Sequence, residues 1–159
     1  MRILFVCTGN VCRSPLAAAM LQRKLRERGR EDIAIVSAGT AAAEGEPASE
    51  GSYVVGLEHG VDLSGHSARM LTREEVEAAD LIFGMSEHHV RRAAELGAGQ
   101  RAWLLGRYAG LTGQEATVED PFGGDLRQYR TTYDQLDSLL DSVADRLVDE
   151  SREPAEPEP

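Results

Sequence analysis

The sequence predicts a single three-layer α/β domain with a mostly parallel sheet. Four short apolar runs, at 3–6, 33–36, 81–83 and 103–105, are continuous rather than alternating. Such runs are typical of strands that are covered on both faces. Segments with helical spacing lie between the runs, so strand and helix alternate along the chain. This order favours right-handed crossovers, helices on both faces of the sheet and a ligand site at the carboxyl ends of the strands.

The helices are predicted from start signals and from apolar spacing. Thr72 followed by Glu75 matches a capping box, and Ser86 before Glu87 is a second start signal. The apolar positions at helical spacing are Leu16, Met20, Leu21 and Leu25; Val54, Val55 and Leu57; Val76; and a final stripe of Leu126, Tyr129, Tyr133, Leu136, Leu139, Leu140, Val143 and Leu147.

The 159-residue length fits one domain, which we place at 1–148. The remaining residues, 149–159, are rich in proline and glutamate. Such a segment cannot bury apolar area, so we predict a disordered acidic tail.

The charge of the chain argues against nucleic acid or anionic membrane as a partner. The formal net charge is −10, and the tail holds five acids and one base, so the body carries about −6 without a basic stripe. No run approaches the roughly 18 apolar residues of a membrane span, and the N-terminus lacks signal-peptide features. We therefore expect a cytoplasmic protein that acts as a monomer or weak dimer.

The two cysteines, Cys7 and Cys12, are predicted to have a chemical rather than a structural role. Both lie in the first dozen residues, where a disulfide would close only a tiny loop. His66, His88 and His89 lack a recognisable metal-ligand spacing, so no metal site is predicted.

The most informative segment, CTGNVCRSP at 7–15, lies between the first apolar run and the first amphipathic helix. Its backbone N–H groups and the helix N-terminus behind them can surround a tetrahedral oxyanion. Gly9 and Asn10 tolerate the left-handed backbone that such a loop needs, and Pro15 suits a first helical turn. The segment therefore predicts an anion-binding loop that leads into a helix.

Cys7 and Arg13 are the candidate reactive pair of this loop. The planar guanidinium of Arg13 can grip phosphate at two points, and together with the N–H groups it would stabilise the Cys7 thiolate. Ser14 is placed to donate a hydrogen bond to that sulfur. Attack of the thiolate on phosphorus would form a phosphocysteine.

Asp120 is the candidate general acid and base, because the leaving group needs a proton and water needs a base. It lies in the turn-rich segment before the final helix, where Pro121 stiffens the backbone and Phe122 can form a pocket wall. Glu119 is the second choice.

Four segments, CTGNVCRSP at 7–15, SAG at 37–39, HSAR at 66–69 and DPFGG at 120–124, resemble the low-molecular-weight protein tyrosine phosphatases over residues 1 to 147. The resemblance implies a four-stranded parallel sheet with a phosphate-binding loop after the first strand, a phosphocysteine intermediate, and neither metal nor cofactor. It implies that Cys7 is the nucleophile, Arg13 the phosphate binder and Asp120 the general acid. It also implies that Cys12 can form a reversible disulfide with Cys7. The expected phosphate-binding residues are Thr8, Gly9, Asn10, Val11, Cys12, Arg13, Ser14 and Phe122, and the expected loop-bracing residues are Asn10, Ser14, Ser37 and His66.

The expected substrate is a phosphorylated protein, and the phosphorylated residue is either tyrosine or arginine. Phe122 replaces the tyrosine usual in this family, and residues 39–47 hold no aromatic wall. The loop sequence CTGN followed by CRSP, the segment at 71–82 and DPFGG at 120–124 also resemble the branch of the family that dephosphorylates arginine. That branch typically has threonine at the position of Val11, whose bulk without a hydroxyl favours tyrosine. We predict phosphotyrosine hydrolysis, with phosphoarginine as the alternative.

Thiol-dependent arsenate reduction is a third, disfavoured function. Arsenate fits the same kind of loop, but the thiol relay usually needs another cysteine farther along the chain. None follows Cys12.

Overall fold

Four parallel strands form one sheet in the computed structural model, which describes residues 1–152. The strands are β1 (Arg2–Cys7), β2 (Ala34–Gly39), β3 (Leu81–Gly84) and β4 (Ala102–Leu104). Their order in the sheet is β2-β1-β3-β4. The chain leaves β1 for one neighbour and later returns to the other side, so a topological switch point lies at the end of β1.

Six α-helices surround the sheet within residues 1–152. They are α1 (Arg13–Glu27), α2 (Glu50–Glu58), α3 (Arg73–Ala78), α4 (Glu87–Glu95), the single turn α5 (Leu105–Tyr108) and the long α6 (Leu126–Arg152). The predicted helix starts are confirmed, since Thr72 and Ser86 are the N-caps of α3 and α4. No helix among residues 1–152 combines the length and apolar character needed to cross a membrane.

The central strand β1 contributes to two separate cores, one on each face of the sheet. Ile3, Phe5 and Cys7 belong to the core that includes apolar residues of α1 and α6. Leu4 and Val6 belong to a smaller core that includes residues of α3 and α4. Successive side chains of a strand point to opposite faces, so a continuous apolar run is what a doubly covered strand requires. The three-layer α/β prediction is confirmed.

All four strands differ from the predicted apolar runs at one or both ends, by one residue except at the end of β2. β2 runs on to Gly39, three residues past its apolar run, because Ser37, Ala38 and Gly39 pair in register with the last residues of β1. β4 ends at Leu104, and Leu105 begins α5 instead of ending the strand. Tertiary pairing outweighs weak local β-propensity in the first case.

The final helix continues four residues past the predicted domain end at 148. Glu150 is part of the packed structure, because it accepts hydrogen bonds from the Tyr108 hydroxyl (3.3 Å) and from Arg146 Nε (2.8 Å). The rest of the predicted tail, 153–159, lies outside the described residues.

Candidate active site

The loop between β1 and α1 lies at the carboxyl edge of the sheet, at the topological switch point. It is flanked by the ends of β2 and β3 because both strands pair with β1. Gly39, at the end of β2, lies directly against the loop: a Cβ there would be 2.5 Å from the Thr8 carbonyl oxygen. Only glycine fits this position.

Asn10 is the centre of the hydrogen bonds that hold the loop. Its backbone is left-handed (φ 57°), a conformation that asparagine tolerates. Its side-chain Nδ2 donates to Ser14 Oγ and Ser37 Oγ, both at 2.9 Å. Its Oδ1 accepts from the Arg69 backbone N–H (2.9 Å), and its carbonyl accepts from His66 Nε2 (2.6 Å). The structure thus brings Asn10, Ser14, Ser37 and His66, the four residues expected to brace the loop, into one network.

The Cys7 sulfur lies 2.9 Å from Ser14 Oγ. Since Ser14 Oγ already accepts a hydrogen bond from Asn10, its own proton is available for the sulfur. The side chain of Cys7 is 2% exposed and lies at the N-terminal end of α1, where the helix dipole favours negative charge. This environment can stabilise a thiolate.

Cys12 has a different environment, although it lies in the same loop. Its sulfur is 3.2 Å from Ser49 Oγ, to which it donates, and 3.5 Å from the Tyr129 hydroxyl. Burial raises the pKa of the Cys12 thiol, and the hydrogen bond with Ser49 only partly opposes that effect. Cys12 therefore stays a neutral thiol near pH 7, which leaves Cys7 as the candidate nucleophile.

The Arg13 side chain is buried and held by groups from two other loops. It is 3% exposed, and Nη1 donates to the Val118 carbonyl (2.9 Å) and to Ser86 Oγ (3.3 Å). Its Nη2 lies 3.6 Å from Asp120 Oδ2. Its buried Nε has no hydrogen-bond partner among the described residues. An unpaired N–H on a buried guanidinium is costly, and a bound oxyanion would satisfy it.

Asp120 stands at the mouth of the loop, 49% exposed. Its Oδ1 accepts from the Phe122 backbone N–H (3.0 Å), which fixes the carboxyl group and leaves Oδ2 near Arg13. Because the carboxyl group is half-exposed, its ion pair with Arg13 contributes little to stability. The carboxyl group is accessible to solvent.

One small cavity joins the predicted reactive groups. Its volume is about 170 Å³, and the lining residues are Cys7, Thr8, Gly9, Val11, Cys12, Arg13, Asp120 and Phe122. Phe122 is 71% exposed, so its ring forms an open wall rather than part of the core. Four of the predicted site residues do not line the cavity and instead hydrogen-bond to one another in the network that holds the loop. They are Asn10, Ser14, Ser37 and His66.

Sequence reasoning missed two contacts to this loop. His89, considered only as a metal ligand, is fully buried and its Nε2 lies 2.9 Å from Thr8 Oγ1. Tyr129, treated as a packing residue, places its hydroxyl near Cys12. The Ser86-x-x-His89 spacing after the third apolar run is a signal that could have indicated His89, since a cap and its third residue face each other.

Comparison with known proteins identifies the family. A family model described as low molecular weight phosphotyrosine protein phosphatase matches residues 2–153. The chain belongs to this family. The fold and the expected family resemblance are therefore confirmed, and the low molecular weight phosphatase hydrolyses phosphate monoesters.

Relatives of this phosphatase have two different named activities. A protein-arginine-phosphatase of Geobacillus stearothermophilus is 37% identical over 153 residues, covering 94% of this chain and 97% of the relative. Low molecular weight protein-tyrosine phosphatase A of Mycobacterium tuberculosis is 35% identical over 154 residues, covering 94% and 93%.

A solved structure has the same fold over nearly the whole phosphatase. It is described as YwlE arginine phosphatase, C7S mutant with phosphorylated active site serine. It matches with a TM-score of 0.88 and 34% identity, covering 96% of this chain and 99% of that chain.

Proposed function

We propose that this phosphatase dephosphorylates proteins through a phosphocysteine intermediate on Cys7. The observation that carries the proposal is that Cys7, Arg13 and Asp120 line one small cavity. A small cavity with a buried guanidinium suits one phosphoryl group, and the half-exposed Asp120 is placed to reach a leaving group.

In the first step the Cys7 thiolate attacks phosphorus, forming a P–S bond while the bond from phosphorus to the leaving atom breaks. Asp120 gives its proton to the leaving atom, so that a neutral side chain departs. In the second step Asp120 takes a proton from water, and the water oxygen attacks phosphorus. Inorganic phosphate leaves, and the Cys7 thiolate returns to its hydrogen bond with Ser14. Arg13 and the loop N–H groups stabilise the charge on phosphorus in both steps.

The phosphoserine of the similar C7S variant supports this assignment. In that arginine phosphatase an active-site serine, which replaces a cysteine, carries the phosphoryl group. The matching position here is Cys7, which makes a covalent phospho-enzyme the expected intermediate.

Phosphotyrosine is the proposed substrate residue. Val11 lines the cavity and offers an apolar contact without a hydroxyl, and the exposed ring of Phe122 forms a wall against which an aryl group can lie. The segment 39–47 adds no second aromatic wall. The proposed site for the aryl ring therefore has an aromatic wall on the Phe122 side and none on the side of residues 39–47.

Phosphoarginine is the second candidate, favoured by the relatives. The Geobacillus relative is named an arginine phosphatase and is 37% identical. The half-exposed Asp120 carboxylate could also pair with the guanidinium of a phosphoarginine.

Residue 11 is expected to decide between the two substrates. We expect Val11→Thr to raise the phosphoarginine-to-phosphotyrosine ratio of kcat/KM by about tenfold, because a hydroxyl can hydrogen-bond the guanidinium and lowers apolar contact with a ring. Val11→Ile should shift the ratio the other way. Matched peptides carrying each phosphoresidue in one sequence context measure the ratio. If the ratio is the same in wild type and in both variants, another residue determines the substrate preference.

We further propose that Cys12 protects the nucleophile from irreversible oxidation. Peroxide would convert the Cys7 thiolate to a sulfenic acid, and the Cys12 thiol would then displace hydroxide as water and form a disulfide. Both cysteines are free and line the same cavity. Because burial raises the pKa of the Cys12 thiol, Cys7, the proposed nucleophile, is the sulfur expected to attack peroxide first.

Cys12→Ser should make peroxide inactivation largely irreversible. We expect recovery of activity with a dithiol to fall several-fold relative to wild type, because Cys7 would proceed to sulfinic acid. Activity before and after dithiol, with intact-mass analysis of the oxidised protein, measures the effect. If wild type and Cys12→Ser recover the same fraction of activity, Cys12 does not protect Cys7.

The chemistry fits a reducing compartment, because a disulfide with Cys12 blocks the nucleophile. We therefore propose that the protein acts in the cytoplasm, on phosphoproteins, as a monomer or weak dimer. The cavity holds its reactive groups within one chain, so catalysis needs no partner subunit. Within residues 1–152, no three His, Cys, Asp or Glu side chains form a group that could hold a metal ion.

A further inference from the structure

We propose that His89 is a positioning residue for the phosphate-binding loop. Its imidazole connects Thr8, at the start of the loop, to Ser86, which contacts Arg13 at the end of the loop. The inference rests on the proposed function, since it assigns a role in binding the phosphoryl group.

Two hydrogen bonds define the state of the His89 ring. The Ser86 backbone N–H donates to Nδ1 at 3.0 Å, so Nδ1 carries no proton. The proton is therefore on Nε2, which donates to Thr8 Oγ1 at 2.9 Å. Only the neutral ring can accept at one nitrogen and donate at the other.

The surroundings keep the ring neutral. Burial, followed by the charges of His88 and Arg13, lowers the pKa of His89 to about 3. The side chain is fully buried, and the ring of His88 lies 4.0 Å away, centroid to centroid. The neutral ring that both hydrogen bonds require is therefore favoured near neutral pH.

The geometry gives this ring influence over both ends of the loop. Thr8 directly follows the nucleophile and lines the cavity, and its carbonyl is held by Ala41 N–H (2.9 Å) while its hydroxyl is held by His89. Ser86 accepts from Arg13 Nη1, and its own N–H is fixed by His89. The His89 side chain thus holds Thr8, at the start of the loop, at a fixed distance from the Arg13 guanidinium at its end.

A helix cap alone does not account for a histidine here. At the third position of a helix, glutamate or glutamine usually accepts from the N-cap N–H. Glutamate would satisfy Ser86 but would have no proton for Thr8. Histidine does both, as glutamine can, since its amide oxygen accepts and its amide nitrogen donates.

The test compares His89→Leu with His89→Gln in the full-length protein. We expect His89→Leu to raise the inhibition constant for inorganic phosphate about tenfold, because both ends of the loop lose a hydrogen bond. Alkylation of Cys7 by iodoacetamide at a fixed neutral pH should also change in rate by more than about twofold, since Thr8, the residue after the nucleophile, is no longer held by His89. His89→Gln should stay within about twofold of wild type in both measurements.

Thr72→Ala is the matched control for loss of a helix cap away from the loop. Thr72 accepts from the Glu75 N–H (3.2 Å) at the start of α3. This variant should lower thermal stability and leave the phosphate inhibition constant unchanged. If His89→Leu behaves in the same way, the residue is only a cap and the inference is wrong. It is equally wrong if His89→Gln is as impaired as His89→Leu.

Thr8→Val and Thr8→Ser test the same contact from the other side, whether or not His89→Leu folds. Thr8→Val deletes the acceptor and should weaken phosphate binding several-fold, whereas Thr8→Ser keeps the hydroxyl and should bind phosphate more tightly than Thr8→Val. Equal phosphate binding by the two variants overturns the inference. Failure of wild type to bind phosphate at all would instead overturn the proposed function.

Discussion

Cys7→Ser is expected to abolish turnover of an aryl phosphate, lowering kcat by roughly 10⁴-fold or more. A serine hydroxyl is not ionised at neutral pH, and the hydrogen bond from Ser14 that can stabilise a thiolate cannot make it so. Steady-state turnover of p-nitrophenyl phosphate measures the loss. Mass spectrometry of rapidly quenched wild type should show Cys7 carrying a phosphoryl group.

Cys12→Ser is the control for this change, because it replaces the other sulfur of the same cavity. It should retain turnover within about tenfold, since a neutral thiol that donates to Ser49 is replaced by a hydroxyl that can do the same. Thermal unfolding of both variants near the wild-type temperature would show that the loop still folds. Normal turnover by Cys7→Ser would refute the phosphocysteine mechanism.

Asp120→Ala is expected to lower kcat by about 10² to 10⁴, the usual range for a general acid and base. Inorganic phosphate should still bind well, because Arg13 and the loop remain. The loss should grow with the basicity of the leaving group: a nitrophenolate can depart without a proton, whereas a tyrosyl oxygen cannot. A series of substituted aryl phosphates measures this sensitivity.

Glu119→Ala is the control variant for this test. Glu119 was the second choice for the general acid in the sequence analysis, but it does not line the cavity. It should change kcat less than about threefold, in keeping with a surface substitution. Asp120→Asn should lose activity as Asp120→Ala does, because an amide cannot transfer the proton. A loss of kcat in Glu119→Ala as large as that in Asp120→Ala would assign the acid to Glu119.

The loop between β1 and α1 could be predicted because its geometry is local, and the roles of its reactive residues stay predictions. Cys7 to Pro15 is one continuous segment, and the expected left-handed backbone is found at Asn10 but not at Gly9. The continuous apolar runs likewise predicted doubly covered parallel strands, since the pattern follows from burial on both faces. The end of β2 was missed because Ser37, Ala38 and Gly39 have weak strand propensity and are held by pairing with β1.

The contacts of His89 and Tyr129 were not predicted, although both residues were noticed in the sequence. His89 reaches Thr8 only because β3 pairs directly with β1, which brings the start of α4 beside the loop. Tyr129 reaches Cys12 because α6 packs against the same face of the sheet as α1. The apolar runs of the four strands are similar in length and composition, so they do not indicate which strands pair with each other.

By itself the sequence determined the family and which groups are candidates for the chemistry: a cysteine and an arginine in one short loop, with a carboxyl group from a turn near the final helix. Local backbone preferences and residue types are enough for that, because the loop is short and its hydrogen-bond donors are its own backbone. Only the tertiary structure decided which remote side chains hold the loop. Ser37, Ser49, Ser86 and His89 come from three different segments, and the order of the strands in the sheet sets their distances to the loop.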